Sequence, residues 1–251
     1  MNPRMRSIVA GTIGVIATIF VWWLLVASGT VDDRILPGPF QLVSRAMTLD
    51  GGEVALHLGT SLQRVIAGGL VGGILGLIFG ILIGWNDRLR AVLNLPLELL
   101  RPIPPLAWIP LAIIWFGTGN GSKVFVIGLG CFFVMLTNTE KGIRELNRAL
   151  IRQGRSYGLS GFSLIRHVVF PGIRPEIMVG ASISTSLAFA SLVAAEILGA
   201  DAGLGYLLMR GRMDGDFAIM FIAIGLIAGL AYVVDLLARK LIVPHRDAYD
   251  L

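Results

Sequence analysis

Six stretches of this chain are apolar for long enough to cross a bilayer: residues 8–27, 65–85, 91–116, 124–139, 177–198 and 217–238. A span needs about twenty apolar residues to traverse roughly 30 Å of hydrocarbon. Inside that layer no water is present to satisfy backbone N–H and C=O groups, so each segment must bond internally as a helix. The composition agrees, with 55% hydrophobic residues, 15% charged residues and 32 glycines among 251 residues, which is outside the range of soluble globular chains. The expectation is an all-α polytopic membrane protein of about six transmembrane helices. Residues 1–251 form one transmembrane domain, with 8–27 as a first span and 65–238 as the core.

A net charge of +5 could suggest nucleic acid, but its placement argues against that partner. Arg and Lys gather on alternate loops, as the positive-inside rule describes. Placing both termini in the cytoplasm puts fourteen of the 21 basic residues on that side, among them Arg4, Arg6, Arg88, Arg90, Arg144, Arg239 and Lys240. The apolar run after Arg6 is longer than the roughly 7–15 residues of a signal-peptide core, so it reads as a retained span. The single Cys131 lies in the fourth span and excludes an intramolecular disulfide.

Between the first and second spans, Asp32 to Pro39 breaks the helix, including Asp33 and Arg34. Phe40 to Leu49 then shows short amphipathic periodicity before an expected turn at Gly51 and Gly52, an external segment on the membrane surface. The second span carries Gly68, Gly72, Gly76, Gly80 and Gly84 at i+4 spacing, with Gly69 and Gly73 beside them. That face lets another helix approach closely, within the chain or across a dimer. Pro102, Pro104, Pro105 and Pro110 interrupt the third span, because each lacks a backbone donor and crowds the preceding turn. Arg101 sits at this break, where a charge costs about 2.5–3.5 kcal/mol unless paired or hydrated. It reads either as an internal ion pair with Glu98 or Glu196, or as a cation lining an anion pathway.

No phosphate loop of the form G-x-x-x-x-G-K-[ST] occurs, so the chain is not expected to hydrolyse ATP. His57, His167 and His245 stand in no metal-ligand spacing. Gly154-Arg155-Ser156-Tyr157-Gly158 matches the nucleophile-elbow pattern, but that chemistry needs a strand-turn-helix, and the flanking residues read as helix.

The stretch from 144 to 174 is better read as a basic, amphipathic loop of two short helices. The first runs over 147–157, a glycine turn follows at Gly158 to Gly161, and the second runs over 162–170 until Pro171 and Gly172 stop it. Leu150, Ile151, Leu159, Phe162 and Ile165 would be poor choices for a solvated loop. They read as a face buried against a partner, or lying on anionic membrane lipid.

This loop resembles the cytoplasmic coupling loop of binding-protein-dependent ABC importer permeases, whose signature is Glu-Ala-Ala, three residues, Gly, nine residues, then Ile-x-Leu-Pro. Gly158 takes the glycine position, and Val168, Phe170 and Pro171 take the Ile, Leu and Pro positions. Arg152, Gln153 and Gly154 depart from Glu-Ala-Ala. Leu100 to Pro110, Ile114-Trp115-Phe116-Gly117 and Leu192-Val193-Ala194-Ala195-Glu196 resemble the nitrate, taurine and aliphatic sulfonate subfamily, as do Ile35 to Pro39 and Gly203-Leu204-Gly205-Tyr206. The resemblance covers the chain from Ile35 to His245.

The resemblance implies a type I ABC importer transmembrane domain in the bacterial inner membrane, with two permease subunits, here identical, forming the pathway. It implies partner ATPase subunits, which carry ATP and Mg, and an extracytoplasmic substrate-binding protein. No cofactor is expected in this chain. On the loop it assigns ATPase coupling to Arg152, Arg155, Ser156, Tyr157, Gly158, Leu159, Val168, Phe170 and Pro171. For the pathway, Arg101 and Glu196 are the expected polar wall residues, with Pro102, Pro104, Pro105 and Trp108 shaping a constriction. The competing class is an ion-coupled secondary transporter using Glu98, Glu196 and Asp235.

Overall fold

The computed structural model describes residues 3–32 and 35–242. Asp33, Arg34 and His245 lie outside the described residues, as do the side chains of Arg4, Arg6, Arg239 and Lys240. Among the described residues every regular element is helical. In chain order they are α1 (Pro3–Ala27), α2 (Pro39–Met47), α3 (Gly51–Trp85), α4 (Asp87–Leu100), a 3₁₀ turn (Pro105–Trp108), α5 (Ile109–Phe116) and α6 (Asn120–Glu145). The loop helices α7 (Arg148–Ser156) and α8 (Gly161–Leu164) follow, then a π turn (Ile165–Val169), α9 (Phe170–Gly172), α10 (Arg174–Gly199), α11 (Leu204–Met213) and α12 (Phe217–Ile242).

Five of these, α1, α3, α6, α10 and α12, are long and apolar enough to cross a membrane, and the bent pair of α4 with the 3₁₀ turn and α5 makes six if it is one span. That pair is bent by 87°. The prolines explain where. Pro104 and Pro105 lead into the 3₁₀ turn, and Pro110 falls in the first turn of α5. There a missing N–H costs nothing, so the prolines begin new helices as well as ending one.

α3 is 35 residues long, about 52 Å at 1.5 Å per residue, which exceeds the bilayer core. The expected turn at Gly51 and Gly52 is not formed. Asp50 caps the helix there, its Oδ1 accepting from Gly52 N at 3.0 Å, so these glycines become the first turn of α3. The helix therefore starts fourteen residues before the apolar run that marks the span.

The glycine face of α3 packs on α6 within the chain. A Cβ on Gly72 would lie 2.0 Å from Gly128 O, on Gly76 2.5 Å from Phe132 O, and on Gly80 2.6 Å from Thr139 Cβ. Gly68 meets Ile127 and Gly84 meets Ile143, so the two helices run parallel. α10 runs against them, with Glu196 beside Ser61 at one end and Gly180 beside Asn138 at the other. Trp22 near the end of α1 stacks on Phe221 near the start of α12, centroids 6.4 Å apart. By this tracing the described chain ends, Pro3 and Ile242, both point to the side that carries α7 to α9.

Candidate functional site

The loop that carries α7 to α9 has a small apolar core of its own and is tied by Val169 to the cluster under α3 and α6. Asn147 caps α7 by accepting from Ala149 N at 2.9 Å, and α7 ends at Tyr157 and at Gly158, whose φ of +82° suits glycine alone. Gly154, which stands where the family signature has alanine, is buried. A Cβ there would lie 2.8 Å from Leu164 Cδ1 and 2.9 Å from Val168 Cγ2, so only a small residue fits. Leu164 is fully enclosed and Ile151, Leu159, Ile165 and Val168 are half-buried, while Val169, also enclosed, packs with Ile143 of α6 and Ile173. Outside this core, Arg152, Arg155, Ser156, Phe170 and Pro171 are exposed, and Tyr157 and Phe162 stand out at 86% and 76% exposure.

One detail differs from the sequence expectation. Pro171 does not stop the second loop helix. The π turn before it bonds Phe170 N to Ile165 O, i to i+5, and this wider turn lets the chain continue through Pro171 to Gly172. Ser156 shares no elbow geometry: it lies at the end of a helix, and its Oγ donates to Arg152 O at 3.1 Å.

At the break between α4 and α5, Pro105 abuts α6, its Cγ 3.2 Å from where a Cβ on Gly130 would stand. Trp108 Nε1 is buried there without a hydrogen-bond partner. Arg101 is exposed and pairs with neither expected carboxylate. Glu98 accepts from Asn94 Nδ2 at 2.8 Å instead, and Arg101 faces a polar cavity of about 480 Å³ shared with Glu140, Lys141 and Arg144 at the inner end of α6. Glu140, nearly buried, faces Arg90 at 3.6 Å and Arg144 at 3.8 Å.

Glu196 is at the opposite end of the molecule and is 1% exposed, so it presents no wall to a pathway in this conformation. Its carboxylate is fully engaged. Oε1 accepts from Arg64 Nη1 at 2.7 Å and from Ser61 Oγ at 2.9 Å, and Oε2 accepts from Gly205 N at 2.8 Å. Arg64 also donates to Ala202 O at 2.6 Å and, through Nε, to Asn120 Oδ1 at 2.8 Å. Gly203 N donates to His57 Nδ1 at 3.1 Å and Leu204 N to Ser61 Oγ at 2.8 Å. Gly203, at φ +125°, leaves no room for a side chain, since a Cβ there would lie 2.3 Å from the Glu196 carboxylate. Two runs noted separately in the sequence, Ala195-Glu196 and Gly203-Leu204-Gly205, thus meet as one lock on the N-terminal part of α3.

Lys123 completes the lock. Buried in the first turn of α6, its ammonium donates to Thr118 O and to Gly199 O, the last residue of α10, where a cation also favours the helix dipole. At the same end of the molecule Arg45 pairs with Asp216 at 2.8 Å, and Arg210 bonds Glu53. That hydrogen bond holds the Arg210 guanidinium above its ordinary value. His57, Ser61, Arg64 and Lys123 were not singled out by the sequence reading. For the three on α3 the signal is the spacing Glu53, His57, Ser61, Arg64, which continues the glycine face of that helix toward its N-terminus.

Residues 72–244 match the family described as binding-protein-dependent transport system inner membrane component. The chain belongs to this family. The permease is 42% identical over 91% of its length to the SsuC permease protein of Escherichia coli K12, whose name assigns it to aliphatic sulfonates transport, covering 86% of that protein. It is 31% identical to the taurine transport system permease protein TauC of the same organism, over 95% of its own length and 88% of TauC. Its fold matches a chain of the inward-facing MetNI methionine ABC transporter, with a TM-score of 0.67 and 20% identity over 77% of the permease and 98% of that chain. The permease is therefore the multi-pass inner-membrane subunit of an ABC importer, a transport component whose ATPase is a separate subunit. That removes the ion-coupled alternative, and Glu196, already bound by Arg64, is not free to serve as its ion site.

Proposed function

We propose that the permease passes a small anion of the sulfonate, taurine or nitrate class, handed over by an extracytoplasmic binding protein. Two copies form the pathway, both termini and the inner loop lie in the cytoplasm, and the loop couples the spans to the ATPase. The names of the SsuC, TauC and nitrate NrtB relatives support the substrate class. The observation that carries the coupling reading is the tip of the loop, where exposed Tyr157 and Phe162 flank Gly158 beside Arg152 and Arg155, above the packing of Gly154 with Leu164 and Val168. Buried aromatic and Arg anchors are what helix-in-groove contacts use. The lipid-exposed side of α4, with Val92, Leu95 and Leu99 uncovered, offers an apolar face of the kind a second copy would bury.

Gly158→Asp puts a charge and a left-handed β-carbon in the turn. It should leave membrane insertion intact while abolishing co-purification of an ATPase and uptake. Normal uptake by this variant would sink the docking assignment. For the pathway, Arg101→Ala should lower anion uptake with ATPase retention unchanged, because the residue has no ion pair to break. Loss of assembly would make Arg101 structural instead.

A further inference from the structure

Resting on the coupling reading above, we infer that the ATPase surface receiving α7 is acidic, its carboxylates pairing with Arg148, Arg152 and Arg155. Between Glu145 and Glu176 the chain carries five arginines, at 148, 152, 155, 166 and 174, and no Asp or Glu. The three on α7 stand at i, i+4 and i+7, so they form one stripe along the helix. All three are exposed, and among the described residues none of them is ion-paired, whereas Arg144, one turn earlier, has Glu140 at 3.8 Å. Arg152 also stands where the family signature has glutamate, so the charge offered to a partner at this point is reversed.

Neither the fold nor the membrane accounts for this stripe. Arg155 lies in the last turn of α7, where a cation favours the helix dipole, but Arg148 lies in the first turn, where a cation opposes it. Arg152 is engaged through its backbone carbonyl, which accepts from Ser156 Oγ at 3.1 Å, and its guanidinium faces outward. The positive-inside rule asks for basic residues on this side of the membrane, not for their alignment on one helix face. A helix that rests on lipid needs a free apolar face to sink into the acyl boundary. On α7 much of that face is occupied within the loop, since Gly154 packs on Leu164 and Val168 and Ile151 is half-buried. Leu150 and Tyr157, which stay exposed, lie across the helix from the stripe by its period of 3.6 residues, so sinking them into lipid would turn the arginines away from the phosphates. A groove that closes around the helix meets both sides at once. Arg and aromatic anchors together are what protein interfaces favour, and a complementary acidic wall would reject a glutamate at position 152.

The test uses the full-length permease, purified in detergent with the ATPase that co-elutes from its native membrane, and a water-soluble carbodiimide, which joins an amine to a carboxylate in contact with it. Arg152→Lys keeps the charge and supplies the amine. The reagent should then link position 152 to an Asp or Glu of the ATPase, a peptide pair read by mass spectrometry and absent from the wild type. Adding Gly158→Asp should abolish the pair, because the loop no longer docks. Arg152→Glu should lower ATPase retention by about tenfold, with the gel-filtration profile of the permease unchanged because the side chain is exposed. A retained ATPase that yields no such pair, or that Arg152→Glu holds as well as the wild type does, would overturn the acidic surface and leave the docking reading intact. An amide to phosphatidylserine in place of the ATPase pair overturns it in favour of lipid. A wild-type permease that retains no ATPase overturns the docking reading itself, and this inference with it. If Arg152→Lys alone loses the ATPase, the wild type decides by salt. Retention that falls about tenfold between about 0.05 and 0.5 M NaCl supports the acidic surface, and retention indifferent to salt overturns it.

Discussion

One face of α3 is used in two ways. Along its first part, His57, Ser61 and Arg64 reach across to Glu196 and to the backbone of residues 202–204 through directional hydrogen bonds, and Glu53 accepts from Arg210. Farther in, the same face continues as Gly68, Gly72, Gly76, Gly80 and Gly84, and holds α6 by removing side chains altogether. The glycine seam is held by many small dispersion contacts that need close approach, while the outer lock is held by a few strong bonds around a desolvated charge. The seam should therefore fail when volume is added, and the lock when one partner is removed.

The largest effect is expected from Gly72→Leu. Even its β-carbon would stand 2.0 Å from the Gly128 carbonyl oxygen, so the helices must part, and little monodisperse protein should survive detergent extraction. Glu196→Ala comes next. It strands Arg64 in a buried site, which costs about 3–5 kcal/mol, and a denaturant titration in detergent should register it as early unfolding. Replacing both partners, Glu196→Leu with Arg64→Leu, should recover much of that loss if the pair serves stability alone. No recovery would mean that the contacts to 202–205 matter in their own right. Gly69→Ala, one residue along from the seam, should change stability by about 0.5 kcal/mol or less, because surface changes away from packed features do little. A large loss there would erase the contrast between the two glycine rows.

How much of this could be read from the residues depends on the range of the interaction. The glycine seam was legible because its spacing is a local property of one helix, although α6 as the partner was not. The break at Arg101 to Pro104 was legible because proline chemistry is local. Arg64 with Glu196 was not, since the pair lies 132 residues apart in sequence and each reads alone as an isolated charge in an apolar run. Glu196 therefore reads from the sequence as one candidate partner of Arg101, or as a fellow wall residue, whereas the structure sets the two at opposite ends of the molecule. The π turn ahead of Pro171 was missed because proline marks a helix end unless the preceding turn widens. The loop was recognised through Gly158, but its Gly154 needed the structure, which places Leu164 and Val168 against it.

The parallel seam also has a mechanical consequence. Two rods bonded along their length resist bending far more than the same rods lying loose. α3 and α6, closely packed from Gly68 to Gly84 over about 24 Å, therefore behave as a single stiff beam, anchored at its other end by the charge lock. The compliance of the subunit is left to the stretch between Leu100 and Pro105, where the helical hydrogen-bond ladder is interrupted and the chain turns by 87°.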